Sequence, residues 1–174
     1  VEIPGRKGTV TIFDTDEGPR AGTTAEGLAK LRPVFSKDGR TTAGNASTLN
    51  DGAAAVVVSS RAYAEENGLK PLARIASYGH SAVQPKRLFA APAQAMPKIL
   101  ALAGWTFDDV DLIELNEAFA AQCLANGYEL ADQGWDWDKV NVNGGGIALG
   151  HPIGASGARI VATLIYALKD RGLK

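Results

Sequence analysis

One cysteine and two histidines are all that 174 residues offer of the side chains that build disulfides and soft-metal centres. A lone Cys123 excludes an internal disulfide framework and any multi-cysteine zinc site. His80 and His151 are too far apart in sequence to give metal-ligand spacing. An excess of base is missing as well: 18 Lys and Arg face 19 Asp and Glu, a net charge of −1, with the basic residues scattered. A nucleic-acid footprint needs clustered base, so that partner class is excluded. No apolar run reaches the length of a membrane span. Internal repeats, low-complexity tracts and coiled-coil heptads are also absent. What remains, at 45% hydrophobic content, is a chain able to bury one sizeable core, or one core plus an arm. The expected setting is cytoplasmic, with an organellar matrix left open as the second possibility.

The segment from Asn143 to Gly157, Asn-Gly-Gly-Gly-Ile-Ala-Leu-Gly-His-Pro-Ile-Gly-Ala-Ser-Gly, concentrates the chemistry. It sets His151 between two glycine-rich turns, just before a strongly apolar helix. Glycine permits positive φ and close approach of backbone to a ligand, and Pro152 fixes the geometry after the histidine. A P-loop would need a lysine that does not occur between Val140 and Leu168. A dinucleotide fingerprint counted from Gly144 would need glycine where Leu149 stands. The reading is an imidazole presented at a helix entrance.

Around it, strand and helix signals alternate. Residues 8–13 read as a strand, and Thr24 caps a short helix carrying Leu28 and Leu31 that Pro33 stops. Ser36-Lys37-Asp38-Gly39 is a turn that divides an arm, residues 1–40, from a main domain, residues 41–174. Residues 53–59 read as a strand buried on both faces, and Ser60 caps a helix closed by Asn67-Gly68. Strands are expected at 72–78, 110–115 and 140–142, and helices at 95–103, 118–131 and 154–170. The class is α/β. Asn116, at a strand-to-helix junction, suits an N-cap, with Glu117 in the first turn where the helix dipole favours a carboxylate.

Asn116-Glu117-Ala118-Phe119 and Gly150-His151-Pro152-Ile153-Gly154-Ala155-Ser156-Gly157-Ala158-Arg159 together resemble the thiolase family, in the family's order. Thr42-Ala43-Gly44-Asn45-Ala46-Ser47 with Asn50-Asp51-Gly52-Ala53-Ala54 agrees, as does Asp16-Glu17-Gly18-Pro19-Arg20 through Leu31-Arg32-Pro33. The resemblance covers nearly the whole sequence but only the second half of a thiolase. It implies a mixed sheet with helices on both faces, preceded by an arm from the family's loop domain and truncated before the last strands.

The same resemblance implies thiolysis of a 3-ketoacyl-CoA, or the reverse Claisen condensation of acyl-CoAs. His151 would be the base and Asn116 the holder of an oxyanion-hole water. Arg20, Ala43 and Ser47 would touch coenzyme A, a substrate rather than a resident cofactor; Arg20 reads equally well as a solvated loop residue. Phe119 either borders the acyl pocket or packs in the core. No metal is expected, and the intact protein is expected to be a dimer or tetramer. The family's two cysteine contexts do not occur here, and Cys123, one turn after Phe119, reads as a small buried hydrophobe. The chain alone is therefore expected to be an inactive piece. The loop from Gln84 to Pro92 departs from the family's usual Met-Gly-containing loop, which leaves acyl-chain preference open. A non-catalytic acyl-CoA- or lipid-binding homologue is the alternative. A ketoacyl synthase, which shares the fold, normally has a histidine where this chain has Asn116.

Overall fold

Strand alternation at the start of the chain yields a small antiparallel hairpin. In the computed structural model, which describes residues 1–174, β1 (Glu2–Pro4) pairs with β2 (Val10–Ile12), Ile3 opposite Thr11. Both strands are exposed along their length. Helix α1 (Ala25–Ala29) follows, capped by Thr24, whose hydroxyl accepts from Gly27 N at 3.1 Å. Its Leu28 and the nearby Leu31 close over Gly44, seating the arm on the block that follows the turn. That turn forms where expected, with Gly39 N donating to Ser36 O and Val34 N to Thr41 O.

Helix α2 (Arg61–Glu66) is capped by Ser60 and ends at Asn67, with Gly68 at φ 62°. Helix α3 (Ala91–Ala103) begins four residues earlier than expected. Pro92 falls in its first turn, where the missing N–H has no intrahelical partner to lose. Gly104, left-handed at φ 71°, closes it. Next come α4 (Ala120–Leu130), the single turn α5 (Gly146–Leu149) and the long α6 (Ile153–Arg171), closed by Gly172. A small core of Ala93, Phe107 and Leu130 joins α3 to α4, with Met96, Leu100, Ile113 and Trp135 packed against it. Trp135 and Trp137 stack edge to face at 5.3 Å over Gly127.

The expected strands are the main correction. Residues 53–59 and 72–78 form no ladder, and Val57 is 99% and Tyr78 86% exposed. A strand buried on both faces needs neighbours at both edges and layers on both sides, and no other part of these residues supplies them. Residues 110–115 and 140–142 meet only through one parallel pairing, Ile113 with Val140. The consequence is a large surface. The accessible area is 13062 Å² for 18.2 kDa, against roughly 8,100 Å² for a compact monomer of that mass.

The second correction concerns Asn116. Helix α4 starts at Ala120, with Phe119 as an extended N-cap at φ −146°, so Asn116 is no cap and Glu117 lies outside the first turn. The reason is tertiary. Ser47 N donates to Ala118 O and Ala120 N to Asn45 O, an antiparallel pairing of Ala46 with Phe119 that holds this segment extended.

Candidate active site

Two segments far apart in sequence meet at His151. The glycine loop delivers its backbone: Gly150 sits at φ 91°, ψ 165°, a conformation essentially confined to glycine. A Cβ there would collide with the Asn50 side chain. Asn50 Oδ1 accepts from His151 N at 3.2 Å and from Thr48 Oγ1 at 2.6 Å, so residues 48–50 clamp the histidine's main chain.

The imidazole is then fixed at both nitrogens. Nδ1 lies 2.7 Å from Ser156 Oγ, and that hydroxyl lies 3.0 Å from Pro152 O. A carbonyl can only accept, so the serine proton points at Pro152 and the serine oxygen accepts from Nδ1–H. The proton is thereby placed on Nδ1, and Nε2 keeps its lone pair. Asn116 Nδ2 stands 3.3 Å from that Nε2 and donates to it. Asn116 Oδ1 is buried near Gly146 and accepts no hydrogen bond within the chain, so its lone pairs are unpaired. Both expected residues thus converge on one point.

Glu117, next to Asn116, joins the two halves of the site. One carboxylate oxygen accepts from Asn141 Nδ2 at 2.7 Å and the other from Ile147 N at 3.1 Å. Gly145 lies so close that a Cβ would strike the carboxylate, which explains glycine there. Glu114 is half-buried, and burial, followed by repulsion from Glu117, pushes its carboxyl above the usual range, with Arg159 opposing. Arg159 itself holds Gly150 O at 2.8 Å. Asn50, Asn141 and Ser156 carry the geometry with no role expected of them from sequence, and Glu117 carries it in place of the helix-dipole role expected there. Ser156 and Glu117 had a local signal, since each shares a motif with His151 or Asn116.

The other expected residues lie apart from this pair. Ser47 donates its hydroxyl to Ala118 O at 3.1 Å, which places it beside the Asn116 strand. Ala43 is exposed. Arg20 is exposed on the arm, where its carbonyl accepts from Thr23. Phe119 lies between Phe35 and Phe89, with centroids 6.0 and 5.2 Å away. These rings line a cleft of about 630 Å³ that also includes Arg87 and Glu129, ion-paired at 3.1 Å. The expected Gln84–Pro92 loop is instead a 3-10 helix over Pro85–Ala90 that runs into α3, and its Lys86, Arg87, Phe89 and Ala90 line this cleft. Asn126, fully buried, holds the junction of that segment with α3, donating to Phe89 O and accepting from Ala93 N.

Cys123 is buried on α4, and burial, then the Glu117 charge, push its thiol up to about 11. At neutral pH such a thiol is protonated and a poor nucleophile. No group of His, Cys, Asp and Glu could hold a metal ion, and no helix is long and apolar enough to cross a membrane.

Comparison with known proteins identifies the family. The thiolase C-terminal domain model matches residues 69–174 and the thiolase N-terminal domain model residues 1–62. An acetyl-CoA acetyltransferase of Pseudomonas aeruginosa is 58% identical across the whole chain, which spans 44% of that relative. The acetyl-CoA acetyltransferase of Allochromatium vinosum is 56% identical over the same span, 43% of its length. The chain thus spans less than half the length of these curated relatives. Among solved structures, Bacillus anthracis acetyl-CoA acetyltransferase superposes with a TM-score of 0.89 at 51% identity, covering 99% of this chain and 43% of that one. Human mitochondrial 3-ketoacyl-CoA thiolase gives 0.83 at 40%, covering 100% and 43%. The architecture is therefore α/β and thiolase-like, and the chain belongs to the thiolase family.

Proposed function

We propose that this chain supplies the histidine–asparagine half of an active site that cleaves 3-ketoacyl-CoA with coenzyme A, or runs the reverse condensation of two acyl-CoAs. The observation that carries the reading is the fixed tautomer of His151, whose unprotonated Nε2 accepts from Asn116 Nδ2 at 3.3 Å, a bond that an approaching thiol would replace. A neutral imidazole so oriented can take the proton of an attacking thiol. Asn116 Oδ1, buried and unpaired, can hold a water whose second proton reaches the thioester oxygen as negative charge develops there. One such donor is worth about 3 kcal/mol in the transition state. The attacking thiol is not Cys123, which lies on α4, buried and protonated.

In this reading Arg20, Ala43 and Ser47 contact coenzyme A, a substrate and not a bound cofactor. A guanidinium suits the phosphates, and Ser47 is held beside the strand that carries Asn116. Residues 1–40 act as the end of the family's loop domain and 41–174 as its C-terminal domain. The surface in excess of a compact monomer is covered in the assembled protein, by further chain or by a second copy. The Phe35–Phe89–Phe119 cleft is offered to the acyl side of the substrate.

Cleavage of acetoacetyl-CoA by the full-length protein, followed as loss of the substrate's absorbance on addition of free coenzyme A, tests the proposal. Turnover that requires coenzyme A is expected. Binding of coenzyme A with no turnover would overturn it in favour of a binding protein.

A further inference from the structure

Asn141 is one of two non-glycine residues with positive φ, at 47°. A left-handed backbone costs a non-glycine residue on the order of 1 kcal/mol, and asparagine tolerates it best. What the conformation achieves is visible in the hydrogen bonds. Asn141 N donates to Ile113 O at 2.8 Å, and Ile113 N to Lys139 O at 2.8 Å, one repeat of a parallel ladder. At the next step the main chain has turned away, and the Asn141 side chain takes its place. Its Oδ1 accepts from Leu115 N at 2.7 Å and its Nδ2 donates to Leu115 O at 2.8 Å. The same Nδ2 also donates to Glu117 Oε1 at 2.7 Å. Residues 115 and 117 are therefore gripped on either side of Asn116.

Resting on the thiolase reading of the site, we infer that Asn141 is a positioning residue: its amide replaces a strand neighbour and fixes Asn116 against His151. It acts at both ends. Through Leu115 it sets the strand, and through Glu117, whose other oxygen holds Ile147 N, it ties that strand to the loop leading to His151. Neither bond is available to a residue lacking both a donor and an acceptor on a short side chain. Aspartate keeps the shape, the tolerance of φ and the acceptor for Leu115 N. It loses both donated bonds and sets a second carboxylate against Glu117.

Kinetics and hydrogen exchange on the full-length protein test this together. Asn141→Asp is expected to lower kcat for acetoacetyl-CoA cleavage by about 10- to 100-fold, the cost of a misplaced catalytic group, with KM unchanged. Adding Glu117→Gln should restore about tenfold of kcat. The carboxamide placed there can donate to the carboxylate introduced at position 141, while its oxygen still accepts from Ile147 N. In Asn141→Gly the Leu115 amide should exchange at least about tenfold faster, while the Ile113 amide keeps its protection. Wild-type kcat in Asn141→Asp, a loss without rescue that follows the folded fraction, or unchanged Leu115 exchange would overturn the inference. His151→Gln in the same assay separates the two levels. If that variant is inactive and Asn141→Asp is fully active, positioning by Asn141 fails and the reading of the site stands. If wild type has no turnover, or His151→Gln keeps full rate, the reading of the site fails, and the Leu115 exchange still decides whether Asn141 holds the strand.

Discussion

His151→Gln in the full-length protein is expected to lower kcat for acetoacetyl-CoA cleavage by about 10³-fold while leaving coenzyme A binding in place. Glutamine has nearly the reach of histidine and can still meet Ser156 and Asn116 by hydrogen bonds, so packing is preserved. It cannot accept a proton at neutral pH, and loss of a positioned base typically costs 10²- to 10⁴-fold. A matched fall in kcat and kcat/KM would identify an interaction made only in the transition state. Steady-state kinetics with calorimetric coenzyme A binding checks both halves of the expectation. A variant retaining more than about a tenth of wild-type kcat would remove His151 from the base role.

Gly150→Ala should be strongly damaging. The new Cβ meets Asn50 at a residue held at φ 91°, so backbone strain of about 1–3 kcal/mol adds to the collision. Asn50 cannot withdraw freely, because its Oδ1 holds His151 N and Thr48 Oγ1. The loop therefore moves, and the imidazole with it. A displacement near 1 Å costs about 10²-fold in rate. We expect a loss of that order in kcat, together with a thermal midpoint lowered by several degrees. Gly154→Ala, where a Cβ meets nothing within 4 Å, is the control and should keep both. Equal behaviour of the two variants would show that the Gly150 approach is not what seats His151.

Where the structure followed the sequence, a local signal carried the information. Thr24, Ser60, Gly68 and Gly104 each punctuate a helix by chemistry within one turn, so those boundaries could be read directly. His151 and Asn116 were legible because short motifs contain them. The 53–59 and 72–78 segments were not, because a strand exists only through its neighbours, and the described residues give these none. Asn116 was misplaced as a cap for a related reason. The pairing of Ala46 with Phe119, across more than seventy residues, delays α4 to Ala120. The contacts of Asn50, Glu117 and Asn141 were not legible because their partners lie 101, 30 and 26 residues away. Nothing in a local pattern records such a bond.

The central claim is that these 174 residues hold the base and the oxyanion partner but not the nucleophile. An acetoacetyl-CoA cleavage assay on the isolated chain, beside its Cys123→Ser variant, tests it most directly. The predicted result is no turnover from either, since the only thiol is buried, raised to about 11 and placed on α4, and His151 has no proton donor to activate. Turnover by the isolated chain that disappears in Cys123→Ser would contradict the account.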